Sequence, residues 1–215
     1  MTRAFDETER TAVSEALLEA GSELFGRMGF AKTAVGDITE EAGVAKGTFY
    51  AFWPSKEAFF FACIERAEII FQDEVVKPAL EGAGHPAEGL GRLISEVFAK
   101  LGDYPLIRSA LDADLIRRLS RKVPKETLEA HRRSDRGEFR DIAAAWDPAV
   151  FDPGIPPEVF DGLYKGLFMM SLHRDIIGED VYGAVAETMG TLMTAGLKAL
   201  SSERIRKGEE RRGKS

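Results

Sequence analysis

The chain has 215 residues, of which 44% are hydrophobic, enough to fill a substantial core without disulfides or metals. Its single cysteine, Cys63, excludes an internal disulfide and a cysteine-rich zinc site, and it fits a reducing compartment. The formal net charge of −7 excludes a broadly basic nucleic-acid-binding domain, because phosphate neutralisation needs Lys and Arg.

The first ten residues, MTRAFDETER, are charged where a signal peptide would be apolar. No apolar run approaches the roughly 20 residues that cross a bilayer. We therefore expect a cytoplasmic protein with no membrane contact. Residues 1–60 carry six basic and ten acidic side chains, so any DNA-binding surface in this segment must be a small local patch.

The sequence pattern of the amino-terminal third predicts four helices. Apolar residues recur with a 3.6-residue period and strand signals are nearly absent, so the fold class is all-α, with about nine helices in the chain. The first helix spans about 8–28 and ends at Gly29. Short helices follow at about 35–42 and 45–52, separated by a turn at Gly43, and a long helix begins at Lys56 and runs to about Val76.

The rest of the chain also has the pattern of helices. The segment 81–89 is rich in Gly and Pro and predicts a linker, and 147–157 predicts a loop. Helices are expected at about 86–101, 104–120, 124–146, 157–177 and 180–201. We divide the chain into an amino-terminal domain at 1–54, a helical domain at 55–201, and a charged tail at 202–215 that we expect to be disordered.

The last two predicted helices are apolar on more than one face, which indicates that each packs against two partners. Glycines inside these helices favour close approach between backbones, since each costs about 1 kcal/mol relative to Ala. We infer that the pair packs on its own chain and on a second copy, as a homodimer; the alternative is a well-buried core pair within a monomer. The residues assigned to the interface between copies are Phe160, Tyr164, Phe168, Met189, Met193 and Leu197.

Two short helices joined by a glycine-centred turn indicate a helix-turn-helix, whose second helix presents its amino-terminal residues to the major groove of DNA. Gly43 is expected to have a positive φ in the turn. Ile38, Ala42, Val44 and Phe49 are placed to bury against the first helix. The residues left outside are Lys46, Gly47, Thr48 and Tyr50, which offer a charge, a close backbone approach and two hydroxyls to a duplex.

The segment GFAKTAVGDITEEAGVAKGTFYAFWPSKEAF, residues 29–59, resembles the DNA-binding signature of the TetR/AcrR transcriptional regulators. The resemblance covers about 30 residues with almost no gaps. It implies a homodimer with a three-helix DNA-binding domain, a divergent ligand domain, and a four-helix interface formed by the last two helices. It also implies an operator of double-stranded DNA, and most often a repressor released by a small-molecule effector.

Carried over position by position, the resemblance assigns Thr33, Lys46, Thr48, Tyr50 and Lys56 to DNA phosphates. It places the segment 45–47, Ala45 to Gly47, near base edges. Where the family has a second capping Thr, this chain has Ala34, and losing that cap costs about 1 kcal/mol unless Thr33 replaces it.

Two further positions depart from the family's pattern. Phe52 stands where Tyr or His is frequent, which removes a phosphate hydrogen bond. Ala51 offers only a methyl group where base readout can occur, and a thymine methyl is one apolar contact it could make.

Aromatic and sulfur-containing side chains in the carboxyl-terminal part could line an effector pocket or could simply fill the core. As a pocket they favour an apolar or aromatic effector, with Arg108, Asp112 or His173 as polar anchors. The residues assigned to effector binding are Phe98, Tyr104, Arg108, Phe139, Trp146, Met169, Met170 and His173.

No pattern predicts catalysis, a metal or a cofactor. His85, His131 and His173 are isolated, and no Ser or Cys stands in a nucleophile motif. Two alternatives to a ligand-responsive regulator remain open: a DNA-binding architectural protein that takes no effector, and a small-molecule-binding protein or enzyme with a vestigial helix-turn-helix.

Overall fold

A computed structural model of the chain describes residues 6–81, 83–110, 112–121, 123–126, 147 and 149–212. The predicted all-α class is confirmed, because the described residues form helices, turns and loops and contain no strand. Within these residues, no helix is both long enough and apolar enough to cross a membrane.

The described helices range in length from four to 31 residues. The helices are α1 Glu7–Met28, α2 Val35–Glu41, α3 Lys46–Phe52, α4 Lys56–Phe71, α5 Lys77–Glu81, α6 Pro86–Lys100, α7 Pro105–Ala110, α8 Ala113–Ser120, α9 Pro157–Ser171, α10 Arg174–Ile177 and α11 Tyr182–Arg212. A π-helical turn, Gln72–Val76, joins α4 to α5, and a 3-10 turn, Leu101–Asp103, follows α6.

The predicted helices of the amino-terminal part are present nearly at their expected bounds. Gly29 ends α1 with a φ of 78°, and its amide donates to the carbonyl of Phe25. The helix expected at 104–120 is instead two helices, because the Asp112 carboxylate accepts the amides of Asp114 and Leu115 and so caps a new helix start. The helix expected at 124–146 falls mostly outside the described residues.

The segment 202–215, expected to be a disordered tail, continues α11 as helix through Arg212. Arg204 pairs with Asp152 at 2.6 Å, and Lys207 pairs with Glu203 one turn away at 2.5 Å. These pairs lie in a charged sequence with no apolar stripe, which is why periodicity shows no helix signal there.

The chain folds into two compact units. The first unit is Met1–Ile70 with Tyr104–His131, and the second unit is Phe71–Asp103 with Arg132–Ser215. Helices α7 and α8 therefore belong with the amino-terminal helices, although they follow α6 in sequence. The functional boundary between residues 54 and 55 stays a prediction.

The first unit is built around α4. Its three consecutive phenylalanines, Phe59 to Phe61, are each at most 1% exposed. Successive residues of an α-helix point about 100° apart, so α4 must be covered over more than half of its circumference. The other buried members of this core include Leu17, Leu24, Phe25, Ile38, Phe49, Leu106 and Leu119, from α1, α2, α3, α7 and α8.

The crossing of α1 over α4 requires a glycine. A Cβ atom added at Gly21 would overlap the Phe59 ring and would lie 3.2 Å from the sulfur of Cys63. Cys63 is fully buried there, and burial raises the pKa of its thiol to about 12, so it stays a protonated packing group.

The second unit is organised by the crossing of α6 and α11. A Cβ atom at Gly91 would lie 2.5 Å from the carbonyl oxygen of Gly190, and one at Gly190 would lie 2.6 Å from that of Gly91. The expectation that glycine allows close helix approach is therefore confirmed for Gly190. The hydroxyl of Thr194 donates to the carbonyl of Ala87 at 3.1 Å across the same crossing.

Helix α9 is anchored to this crossing by a hydrogen-bonded tyrosine. The hydroxyl of Tyr164 donates to the carbonyl of Leu90 at 2.8 Å, and burial raises the pKa of this hydroxyl above its ordinary value. Phe160 stacks on Tyr164 with ring centroids 5.4 Å apart. These contacts turn one face of α9 toward α6 and leave its opposite face outside the protomer.

Candidate nucleic-acid interface

Helices α2 and α3 are joined by a tight turn at Gly43. The amide of Gly43 donates to the carbonyl of Glu40 at 3.1 Å, and that of Val44 to the carbonyl of Thr39 at 2.9 Å. Gly43 has a φ of 67°, which confirms the expected positive value. The turn therefore has the backbone form that a helix-turn-helix needs.

Helix α3 is held to the core by Phe49, which is fully buried. Its ring centroid lies 4.9 Å from that of Phe59 on α4, in an edge-to-face arrangement. Because Phe49 fixes the inward face of this short helix, the residues on the other face are turned to solvent.

The outward face of α3 and its amino-terminal approach carry the predicted DNA-binding residues. Ala45, Lys46, Gly47, Tyr50 and Ala51 are exposed, with Tyr50 at 53%, and Thr48 is half-buried. Their exposure agrees with the sequence interpretation, and their contacts with DNA stay a prediction.

Lys56, which the resemblance assigns to a DNA phosphate, contacts backbone carbonyls of its own chain. Its ammonium donates to the carbonyl of Phe30 at 2.8 Å and to that of Thr33 at 2.9 Å, and it lies 4.1 Å from the centroid of the Phe30 ring. Lys56 thus ties the start of α4 to the loop between α1 and α2. Because these contacts engage the ammonium of this half-buried side chain, we treat Lys56 as a residue that positions the interface, and its contact with a DNA phosphate stays a prediction.

Thr33 is also an internal residue, at 1% exposure. Its hydroxyl donates to the carbonyls of Leu24 at 3.3 Å and of Gly29 at 3.0 Å. It does not take over the missing cap of α2, because the residue at the N-cap position, Ala34, has no side chain that can accept an amide of the first turn. The other half of that cap survives, since the Asp37 carboxylate accepts the amide of Ala34 at 2.8 Å.

Some cations around the helix-turn-helix are engaged within the protein, and others are not. Arg27 pairs with Glu23, Arg66 pairs with Glu15, and Lys56 holds carbonyls. Lys32 and Lys46 are exposed, and no carboxylate in the described part of the chain pairs with either. Charge is thus left available beside α2 and at the start of α3.

The residues predicted to bind an effector are spread over both units. Tyr104 and Arg108 belong to the first unit, while Phe98, Met169, Met170 and His173 belong to the second. Phe98 is buried and packs against Tyr182 with ring centroids 5.1 Å apart, whereas His173 and both methionines are exposed. Phe139 and Trp146 lie outside the described residues.

The residues predicted to form an interface between copies mostly face inward. Phe160 and Leu197 are 2% exposed, Met189 and Met193 pack into the core around α6, and Phe168 contacts Phe71 with ring centroids 6.0 Å apart. Phe160 and Leu197 are therefore core residues of one protomer, whereas Tyr164, Phe168 and the two methionines are half-buried. The assignment of these six residues to an interface between copies stays a prediction.

A second apolar stripe on the same helices is exposed instead, and we call it the outer face. Its large members are Val159, Leu163 and Met170 on α9, and Val181, Leu192 and Leu200 on or next to α11. The sequence periodicity identifies both stripes, but it cannot tell which of the two is buried inside the protomer. Side-chain size could have distinguished them, because the stripe with the aromatic rings fills the larger space inside the protomer.

Residues 17–63 match the family model described as bacterial regulatory proteins, tetR family. The chain is also similar to the HTH-type transcriptional repressor DhaR of Mycobacterium sp. (strain GP1), with 42% identity over a match that covers 26% of this chain and 32% of that relative. Matches to two Bacillus subtilis regulators, YerO and YvdT, cover 18% and 43% of those proteins. The chain thus matches less than half the length of each of these curated relatives.

Solved structures extend the likeness to the whole fold. The fatty acid degradation regulator FadR from Bacillus halodurans superposes with a TM-score of 0.59 at 17% identity, covering 86% of this chain and 96% of that one. FadR from Bacillus subtilis, solved in complex with stearoyl-CoA, gives a TM-score of 0.56 at 18% identity, covering 85% and 98%. At these identities the likeness establishes the fold alone.

The contacts of Lys56 generate a prediction about stability. Lys56→Met should lower the free energy of unfolding by about 2 kcal/mol, because two carbonyls would be left without a charged hydrogen-bond donor. The matched variant Lys46→Met, at an exposed lysine on α3, should change it by less than about 0.5 kcal/mol. Urea unfolding followed by circular dichroism measures both. Equal stability of the two variants would show that the Lys56 contacts do not hold the loop.

Proposed function

Since residues 17–63 match the model of the tetR family of bacterial regulatory proteins, we propose that the chain is a regulator of this family that represses transcription as a homodimer bound to a near-palindromic operator. The observation that carries this proposal is the outward face of α3. It presents a lysine, two hydroxyls and a glycine from a helix that is fixed by the buried Phe49.

Each exposed group of α3 has a role in this proposal. Lys46 contacts a phosphate as a point charge, and Thr48 and Tyr50 donate hydroxyl hydrogen bonds to phosphate oxygens. Ala45, Gly47 and Ala51 let the backbone and a methyl group approach base edges. Thr33 and Lys56 act indirectly, by fixing the loop that leads into α2.

The dimer in this proposal forms through the outer face of α9 and α11. Leu192 is 66% exposed and Leu163 is 45% exposed in the protomer. Added Cβ atoms at Gly162, Gly166, Gly183 and Gly196 would meet nothing within 4 Å, so these glycines leave room for a second copy to approach. Two copies related by a two-fold axis would bury a continuous apolar stripe and present two α3 helices to successive major grooves, about 34–36 Å apart.

Regulation in this proposal depends on a small apolar or aromatic effector. An effector that binds more tightly to a conformer with a different α3 separation lowers DNA affinity by its differential binding energy. The Bacillus subtilis FadR shares this fold and was solved with stearoyl-CoA, so the fold can accommodate a long apolar ligand. The residues assigned to the effector site from the sequence stay predictions.

DNA binding is tested with duplexes selected from a random-sequence pool by the purified protein. Substituting both Lys46→Ala and Tyr50→Ala should weaken binding to the selected duplex by tenfold or more at 100 mM salt, because the variant lacks a phosphate-bound cation and a hydroxyl donor. Gel-shift titration measures the change. Arg117→Ala, which removes an exposed cation of α8 paired with Asp114, is the charge control and should bind as the wild type does.

Failure of the wild-type protein to select or shift any duplex at 50–100 mM salt would contradict the proposed function. A shift that the double substitution leaves unchanged would contradict the assignment of α3 as the reading helix.

The dimer is tested by Leu192→Glu. A carboxylate on the outer face would be desolvated between two copies, so the variant should sediment as a monomer at concentrations where the wild type is a dimer. Ile69→Glu on α4, also at an exposed apolar residue, is the matched control and should leave the dimer intact. Analytical ultracentrifugation distinguishes the two states. A dimeric Leu192→Glu variant would place the interface elsewhere.

A further inference from the structure

Another exposed cation lies at the opposite end of α3 from Lys46. Arg10, near the start of α1, is exposed, and its guanidinium carbon lies 4.6 Å from the centroid of the Phe52 ring. Phe52 is the last residue of α3. In the described part of the chain, no carboxylate pairs with Arg10. The sequence pattern alone assigns Arg10 no role, because α1 and α3 meet only in the folded unit.

The Phe52 ring that supports Arg10 is itself held in place. It stacks on Trp53 with ring centroids 5.5 Å apart and an interplanar angle of 28°. Trp53 in turn packs edge-to-face on Phe59 of the core, at 4.6 Å. A continuous series of ring contacts therefore connects the Arg10 guanidinium to the most buried part of the first unit.

Stacking on a ring occupies the face of a guanidinium and leaves the N–H groups around its edge available to donate. Those donors match the oxygens of a phosphate, which can accept two of them at once. Because the ring already restrains the side chain, the conformational entropy cost of binding a phosphate is smaller.

The spacing also suits a duplex. Helix α3 has seven residues and a rise of about 1.5 Å per residue, so its two ends are roughly 10 Å apart. The major groove of B-DNA is about 12 Å wide. With Lys46 at one end of α3 and Arg10 of α1 beside the other end, the two cations can contact the phosphate backbones on both sides of the groove.

We propose that Arg10, held on the Phe52 ring, is a phosphate-binding residue of the DNA interface, and that Phe52 positions it. This inference rests on the proposed DNA binding and adds to that surface a cation at the far end of α3. It also gives Phe52 a function that its own side chain, which has no hydroxyl, cannot perform directly.

The test measures the affinity of the full chain for its selected duplex as a function of salt concentration. Each phosphate contact contributes a slope of about 0.9 in log affinity against log salt. Arg10→Ala should therefore reduce the slope by about 0.9 for each bound protomer. For each phosphate contact that the substitution removes, affinity should fall about fifteenfold at 50 mM salt and about fourfold at 200 mM.

Companion variants separate charge from position. Arg10→Lys keeps the charge and should retain most of the slope. Phe52→Leu should weaken DNA binding about threefold and leave the salt-dependence slope unchanged. In the Arg10→Ala background it should have no further effect, because Phe52 affects DNA affinity only by positioning Arg10. Arg117→Ala controls for net charge, and circular dichroism confirms that each variant is folded.

Three results would overturn the inference while leaving the proposed function intact, provided that the wild type binds its selected duplex. One is a slope for Arg10→Ala equal to that of Arg117→Ala. The second is a salt-dependence slope for Arg10→Lys that is as low as the slope for Arg10→Ala. The third is a loss of affinity from Phe52→Leu that is the same whether residue 10 is Arg or Ala. A wild-type protein that binds no duplex would contradict the proposed function and this inference together.

Discussion

The complete burial of three successive phenylalanines on α4 is the constraint on which the first unit depends. Phe59, Phe60 and Phe61 point in three directions, so α4 must be enclosed by helices from separate parts of the sequence. The Phe59 ring also holds α3 through its contacts with Phe49 and Trp53. The geometry of the candidate DNA-binding surface is thus a consequence of how α4 is packed.

A short helix such as α3 has little intrinsic stability, since isolated helices below about 12 residues are marginal in water. Its position comes from one buried ring on its inward side, the Gly43 turn before it and the Trp53 contact after it. Lys56 adds a tie between α4 and the loop before α2. This support fixes the direction of the exposed side chains while leaving them available to a ligand.

The sequence is sufficient to predict the all-α class, the bounds of α1 to α3 and the positive φ of Gly43, because each depends on local pattern and turn chemistry. It cannot predict which of the two apolar stripes of α9 and α11 is buried, since burial depends on which stripe packs against α6. Nor can it reveal that Thr33 and Lys56 turn inward, because their partners are backbone carbonyls that carry no sequence signal. The contact of Arg10 with Phe52 is hidden for a related reason, as it joins residues far apart in the chain.

In the proposed complex, two copies of α3 read two successive major grooves on one side of a duplex. Hydroxyl-radical footprinting of the wild-type protein on its selected duplex tests this arrangement. We expect two protected segments whose centres lie about 10 base pairs, or a multiple of one helical turn, apart on the same face. A single protected segment, or protection spread evenly along the duplex, would contradict it.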